Sequence, residues 1–243
     1  DRMGDTFVVA DKRQDRVAEL KDRYGVDTAT NTEAAREADV VVLVVKPQDI
    51  FTVVDEIAGD LKPSALVVSL AAGVTTASLE ALLPDGIPVV RVMPNTPALV
   101  DEGMSAVSPG AHCTPDHVAL AVRLMACVGK VVEVPEKMQD AVTAISGSGP
   151  AYIFYTVEAM IEAGVGLGLP RRLATELTLQ TVYGAATMLR ETGEHPVVLR
   201  ENVTSPAGTT AAALRVLEDH KVRAAFLSAL EAARNRSIEL AGG

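Results

Sequence analysis

Val40-Val41-Val42-Leu43-Val44-Val45 is an unbroken, mostly β-branched run, and it constrains the fold more than any other stretch of the chain. It is far shorter than a membrane helix, and it reads as a parallel strand covered on both faces. It stops at Lys46-Pro47, and Gln48 to Ala58 then carries helical spacing. The same unit recurs. Leu66 to Leu70 ends on Ala71-Ala72-Gly73 ahead of a predicted helix from Thr76 to Leu83, and Val89 to Met93 ends on Pro94-Asn95-Thr96-Pro97. Upstream, Thr6 to Ala10 reads as a short strand ending at Asp11. Arg13 to Tyr24 reads as an amphipathic helix stopped by Gly25, and Thr32 to Ala38 as a further helical piece. Strands alternating with helices at this spacing predict a doubly wound parallel sheet.

In such sheets ligands gather at the carboxyl ends of the strands. Here those ends carry Asp11, Lys46-Pro47, Ala71-Ala72-Gly73 and Asn95-Thr96. Small residues leave the backbone approachable by a dinucleotide, and Lys46 can offset phosphate charge or stand as a surface cation at a strand end. A dinucleotide fold opens with a strand, a Gly-x-Gly-x-x-Gly turn and a helix. Only Asp1-Arg2-Met3-Gly4-Asp5 precedes Thr6, so this reading expects roughly 25–30 residues of a βαβ unit to be missing from an incomplete N-terminus.

After Gly110 the texture changes. Pro115 to Val128 reads as a helix, Lys130 to Val134 as a last short strand, and no strand is predicted from Met138 onward. Ala151 to Leu167 is apolar almost all round, which places it in a core or a subunit interface. Arg171 to Arg190 and Val222 to Leu240 are predicted as further helices, the second with Glu231 spaced to pair with Arg234. An all-helical domain this apolar over about 100 residues points to an intertwined oligomer. The predicted boundary gives a dinucleotide-binding domain over 1–135 and a helical domain over 136–243. The core must be aliphatic, since 48% of residues are hydrophobic, 3% aromatic and none is Trp. A formal net charge of −10 argues against nucleic acid or an anionic membrane as partner. Cys113 and Cys127 show neither disulfide nor metal spacing, so no metal is expected. The chain opens on charged residues rather than a signal peptide, and a soluble, reduced, cytoplasmic protein is expected.

One stretch stands out for chemistry: Asn202-Val203-Thr204-Ser205-Pro206-Ala207-Gly208-Thr209-Thr210, leading into a helical run from Ala211 to Glu218. Pro206 and Gly208 punctuate a turn, and the Thr pair falls where a helix N-cap is expected. Unpaired N–H groups at such a start suit a carboxylate or a phosphate, and a hydroxyl of Thr209 or Thr210 can reach a second polar atom of the same ligand. An ordinary capped loop is the alternative.

Ser146-Gly147-Ser148-Gly149-Pro150-Ala151-Tyr152 and the Asn202 to Thr210 stretch resemble the signatures of the pyrroline-5-carboxylate reductase family. Gly168-Leu169-Pro170-Arg171, Glu194-His195-Pro196, Val45-Lys46-Pro47, Ala71-Ala72-Gly73-Val74 and Arg91-Val92-Met93-Pro94-Asn95-Thr96-Pro97 are similar too, in the same order along the chain. The resemblance implies an α/β Rossmann-type domain followed by an all-α dimerisation domain. It implies hydride transfer from NAD(P)H to a cyclic imine, giving L-proline. It implies that Asn31, Val45, Lys46, Pro47, Ala71, Ala72 and Gly73 line the cofactor, with Asn95 and Thr96 near its nicotinamide half. It implies a homodimer through the C-terminal helices, assembled further into a decamer. The substrate's carboxylate would lie on Ser205, Gly208 and Thr209 within the Asn202 to Thr210 stretch, with Thr210 on the ring nitrogen as the catalytic residue. Glu194 and His195 are candidates for favouring the protonated imine, or else a polar inter-helix turn. Thr143 and Ser148 are further candidates for the substrate site, reached across the dimer interface.

Asp11 would favour a free ribose hydroxyl, as in NADH, whereas Lys12 and Arg13 suit a 2′-phosphate; the two basic neighbours favour NADPH. Two other readings compete. A related hydroxyacid-type dehydrogenase would need a catalytic Lys on the helical domain, and only Lys221 follows Lys137. A non-catalytic oligomer would have lost its cofactor half-site.

Overall fold

A computed structural model describes residues 6–241, so the expectation placed on residues 1–5 lies outside the described residues. The first strand pair, β1 (Val8–Val9) and β2 (Asp27–Thr28), is parallel and flanks helix α1 (Gln14–Tyr24). Gly25 ends α1 in the left-handed conformation at φ 65°, its N–H donating to the Lys21 carbonyl. Helix α2 (Asn31–Glu37) opens on a capping box in which Thr30 and Glu33 satisfy each other's backbone N–H groups. The Thr30 backbone N–H and hydroxyl hold the Glu33 carboxyl below its usual range.

A second sheet has strand order β3-β4-β5-β6-β7: Val40–Leu43, Leu66–Ser69, Val89–Met93, Gly103–Pro109 and Gly129–Glu133. Helices α3 (Pro47–Ile57), α4 (Thr76–Glu80) and α5 (Pro115–Ala126) connect its strands. Alternation along the strands builds two cores. Val67 and Val89 face α2, α3 and α4 with Ala35, Ile50, Val54, Ile57 and Leu79. Leu66, Val68, Val90, Val92 and Val107 face α5 with Ala121 and Met125. Full burial of such side chains contributes about 1.5–3 kcal/mol each.

The structure corrects three sequence expectations here. Strand β3 is covered on both faces only at its start: Val41, Leu43 and Val45 join the first core and Val40 packs on the second, while Val42 and Val44 are exposed. Helix α5 lies over β5, β6 and β7, and on that side of β3 only Val40 packs against the second core. The sheet is not wholly parallel, since β6, absent from the sequence reading, runs antiparallel to β5. Helix α4 stops at Glu80 instead of Leu83, short of Pro84, as proline disfavours helical backbone before it.

The rest of the described chain is helical: α6 (Gln139–Val142), a π-turn over Thr143–Gly147, α7 (Gly149–Gly166), α8 (Arg171–Thr192), α9 (Pro196–Asn202), α10 (Thr209–Asp219) and α11 (Val222–Ala241). Two compact units result, one reaching Ser148 and regaining the chain from Ala233, the other holding Gly149–Ala232. Within the second unit α7 packs along α8, where a Cβ on Gly164 would come within 3.0 Å of the Ala174 methyl. No residue of α7 is buried in the single chain, and Phe154 and Tyr155 are 65% and 75% exposed. No described helix is long and apolar enough to cross a membrane.

Candidate active site

Because β3, β4 and β5 are parallel neighbours, their carboxyl ends lie along one edge of the sheet. That edge brings together Val45-Lys46-Pro47, Ala71-Ala72-Gly73 and Asn95-Thr96. Lys46 precedes the first turn of α3, which Pro47 opens; its side chain is exposed and takes no partner among the described residues. Ala71 and Gly73 are buried, Gly73 turns the chain at φ 77°, and Ala72 alone of the three is exposed, so the turn between β4 and α4 offers a ligand Ala72. Thr96 is exposed. Asn31 is placed apart, at the start of α2, where its amide donates to Glu56 at 2.8 Å. About 14 Å of α3 separates Glu56 from Pro47 at ~1.5 Å per residue. At the end of β1, Asp11 accepts from the Arg13 backbone N–H at 2.8 Å, Lys12 pairs with Asp49 at 3.1 Å, and Arg13 pairs with Asp15. Both ion pairs are exposed, so either cation can turn to a phosphate at little cost. A free Lys46, an exposed Ala72 in a small-residue turn and two exposed cations fit a phosphorylated dinucleotide.

Within the second unit, Ser205-Pro206-Ala207-Gly208 forms a tight turn closed by the Gly208 N–H donating to the Ser205 carbonyl at 3.0 Å. Gly208, not a threonine, is the N-cap of α10. The threonines are therefore the first two helical residues, and their hydroxyls take no hydrogen bond among the described residues. A Cβ on Gly208 would stand 2.4 Å from the Ser205 hydroxyl oxygen, so only glycine keeps that hydroxyl and the helix start together. Orphan N–H groups with three hydroxyls around them make a carboxylate cradle. Asn202 ends α9 just before this loop and is exposed. The Glu194-His195 pair lies between α8 and α9, a helix the sequence reading did not include: His195 caps α9, its Nδ1 accepting from the Val197 N–H at 3.3 Å, while Glu194 is exposed.

Thr143 and Ser148 sit at the two ends of the π-turn, where the Ser148 N–H donates to the Thr143 carbonyl at 2.8 Å. The Thr143 hydroxyl donates to the Gln139 carbonyl, while the Ser148 hydroxyl takes no partner among the described residues. Sequence reasoning missed what holds this region. Arg91, 4% exposed on β5, pairs with Glu136 at 3.3 Å, and Glu136 also accepts from the backbone N–H and hydroxyl of Thr76 at 2.8 Å each. Gln139, fully buried, donates to the Ala106 carbonyl and the Ser108 hydroxyl. The signal was an arginine inside Val-Val-Arg-Val-Met, because a charge in a buried strand demands a partner.

Residues 2–73 match the family pattern described as NADP oxidoreductase, coenzyme F420-dependent, and residues 136–240 match pyrroline-5-carboxylate reductase dimerisation. A pyrroline-5-carboxylate reductase of Corynebacterium melassecola is 50% identical over 96% of this chain and 87% of that protein. The solved pyrroline-5-carboxylate reductase of Coxiella burnetii is 43% identical, with a TM-score of 0.89 over 96% of this chain and 87% of that one. A Plasmodium falciparum pyrroline carboxylate reductase solved with NADP bound is 31% identical, with a TM-score of 0.85 over 97% and 87%. Fold and site together define a nicotinamide-nucleotide oxidoreductase: a Rossmann-type α/β domain followed by a helical dimerisation domain. Among these enzymes the chain belongs to the pyrroline-5-carboxylate reductase family.

Proposed function

We propose that this protein reduces L-1-pyrroline-5-carboxylate to L-proline with NADPH, the closing step of proline synthesis, with NADH as the poorer donor. The observation that carries the reading is the start of α10. A side-chain-free N-cap and unengaged Thr209 and Thr210 hydroxyls are what a small ring bearing one carboxylate and one nitrogen requires.

The cofactor supplies a hydride to the imine carbon when bound; everything else is positioning and electrostatics by this chain. Lys46 and the Ala71-Ala72-Gly73 turn hold the nucleotide at the sheet edge, with Val45, Pro47 and Thr96 around it, and Asn31, set apart at the start of α2, meets only its far end. Lys12 and Arg13 take the 2′-phosphate that distinguishes NADPH. The Ser205 and Thr209 hydroxyls and the first N–H groups of α10 hold the substrate carboxylate. The Thr210 hydroxyl oxygen accepts from the protonated ring nitrogen and fixes the orientation of the C=N bond. The electron pair of the C=N bond ends on nitrogen as the C–H bond forms, so the product is the secondary amine. Glu194 favours the cationic imine by its charge, and Thr143 and Ser148 complete the substrate side across the dimer. The apolar exposure of α7 supports pairing through the helical domain, and we read the full assembly as a decamer of five such pairs in the cytoplasm.

The test follows NADPH absorbance on adding pyrroline-5-carboxylate, with NADH alongside and proline measured as product. Removing the Thr210 hydroxyl by Thr210→Ala should cost about 2 kcal/mol of transition-state stabilisation, or roughly thirtyfold in kcat/KM. Assembly should be unchanged by size-exclusion chromatography. Wild-type turnover in that variant would sink the assignment.

A further inference from the structure

The segment that leaves the sheet is held by alternate residues of one face of β5 and its extension. Arg91 takes Glu136, Met93 lies against Gly147, and Asn95 takes the carbonyl of Ser146. The fit at Met93 is close, since a Cβ on Gly147 would come within 2.5 Å of the Met93 methyl. Asn95 is the most informative of the three, because both ends of its amide replace backbone partners that the local chain lacks. Its Nδ2 donates to the Ser146 carbonyl at 3.0 Å. In a continuing helix that carbonyl would accept from residue 150, which is a proline with no N–H to give. Its Oδ1 accepts from the Met104 N–H at 2.8 Å, beyond the point where β5 stops pairing with β6. A backbone carbonyl can only accept and a backbone N–H can only donate, so the amide has one orientation.

We propose that Asn95 is a positioning residue. Its amide locks the π-turn over Thr143–Gly147 to the end of β5, so the strand end beside the nucleotide and the turn bearing Thr143 and Ser148 hold one register. Held at each end by one backbone partner, Asn95 acts on the reaction through the turn it holds. This deepens the reading above and rests on Thr143 and Ser148 belonging to the substrate side.

The test is Asn95→Asp in the protein expressed from its complete gene. Aspartate keeps the acceptor for Met104 but sets a carboxylate oxygen against the Ser146 carbonyl. Amide hydrogen exchange in the peptide spanning 143–148, measured without ligands, should speed up at least about tenfold on loss of the lock. KM for pyrroline-5-carboxylate should rise about tenfold or more, while NADPH affinity, read from its fluorescence, stays within about twofold. Lowering the pH toward about 5.5 should restore part of the KM, because a protonated Asp regains an O–H donor for Ser146. Adding Pro150→Ala, which returns the missing N–H, should slow the exchange again. Wild-type exchange in Asn95→Asp, or weakened NADPH binding with unchanged substrate KM, overturns the proposal. Faster exchange with unchanged KM leaves the lock standing and removes Thr143 and Ser148 from the substrate side. Asn95→Ser, which drops both bonds without adding charge, gives the same readouts if the Asp variant does not assemble.

Discussion

Ala207 carries backbone strain where the substrate is proposed to bind. It has φ 58°, the left-handed region that costs an L-residue about 1–2 kcal/mol. Preceded by Pro206 and closed by the Gly208 N–H on the Ser205 carbonyl, it holds the position of a type II turn that usually takes glycine. Ala207→Gly relieves that cost but frees the unfolded chain, so the net gain should be below about 1 kcal/mol, a rise of roughly 1–3 °C in Tm by scanning calorimetry. A fall in Tm would show that neighbouring contacts favour the alanine methyl by more than the backbone penalty. The turn itself was legible in Pro206 and Gly208. That the positive φ falls on Ala207, leaving Gly208 extended as the cap, was not, because alanine gives no such signal and the glycine drew the expectation. Arg91 shows the reverse case: its identity promised a buried partner, but only three dimensions bring up Glu136 from the far side of two strands.

At the level of elements, the parallel strands announced themselves by β-branched runs, and β6 did not. Gly103-Met104-Ser105-Ala106-Val107-Ser108-Pro109 holds one β-branched residue, and it is a strand because β5 and β7 flank it. Its small residues have a packing reason at the Gly103↔Gly129 pair that begins the β6–β7 ladder. Gly129 sits at φ 147°, and a Cβ there would lie 2.1 Å from the Gly103 carbonyl oxygen, too close for any rotamer to relieve. Gly129→Ala should therefore destabilise the first domain by at least about 3 kcal/mol, read as a lower denaturant midpoint. A midpoint within about 0.5 kcal/mol of wild type would mean that the two strands can part at this end without loss. Helix α9 was missed for a different reason: a short helix capped by histidine lacks the serine, threonine or aspartate that usually marks a start.

Over the whole molecule, the alternation of strands and helices followed by helices alone was legible, and so was the apolar character of α7. What the single chain adds is that α7 is not covered by its own unit. Phe154, Tyr155, Tyr183 and Leu227 stand exposed on helices of one 84-residue compact unit, Gly149–Ala232, and Leu167 in the turn after α7. So many large apolar side chains exposed on a small helical unit mark an interface between chains. A carboxylate placed in it should be costly, so Tyr155→Glu should shift the protein toward the mass of one chain in light scattering, with proline formation falling in parallel. An unchanged assembly would place Tyr155 outside the interface.

The same bare helices set a floor on abundance. A chain that leaves its largest apolar side chains in water cannot be stored, diluted or expressed thinly without consequence, because each halving of its amount lengthens the time a copy spends alone. A cell making this protein at a trickle would lose it to proteases and clumping before it lost any catalytic group, and a dilute sample would fade on the bench for the same reason.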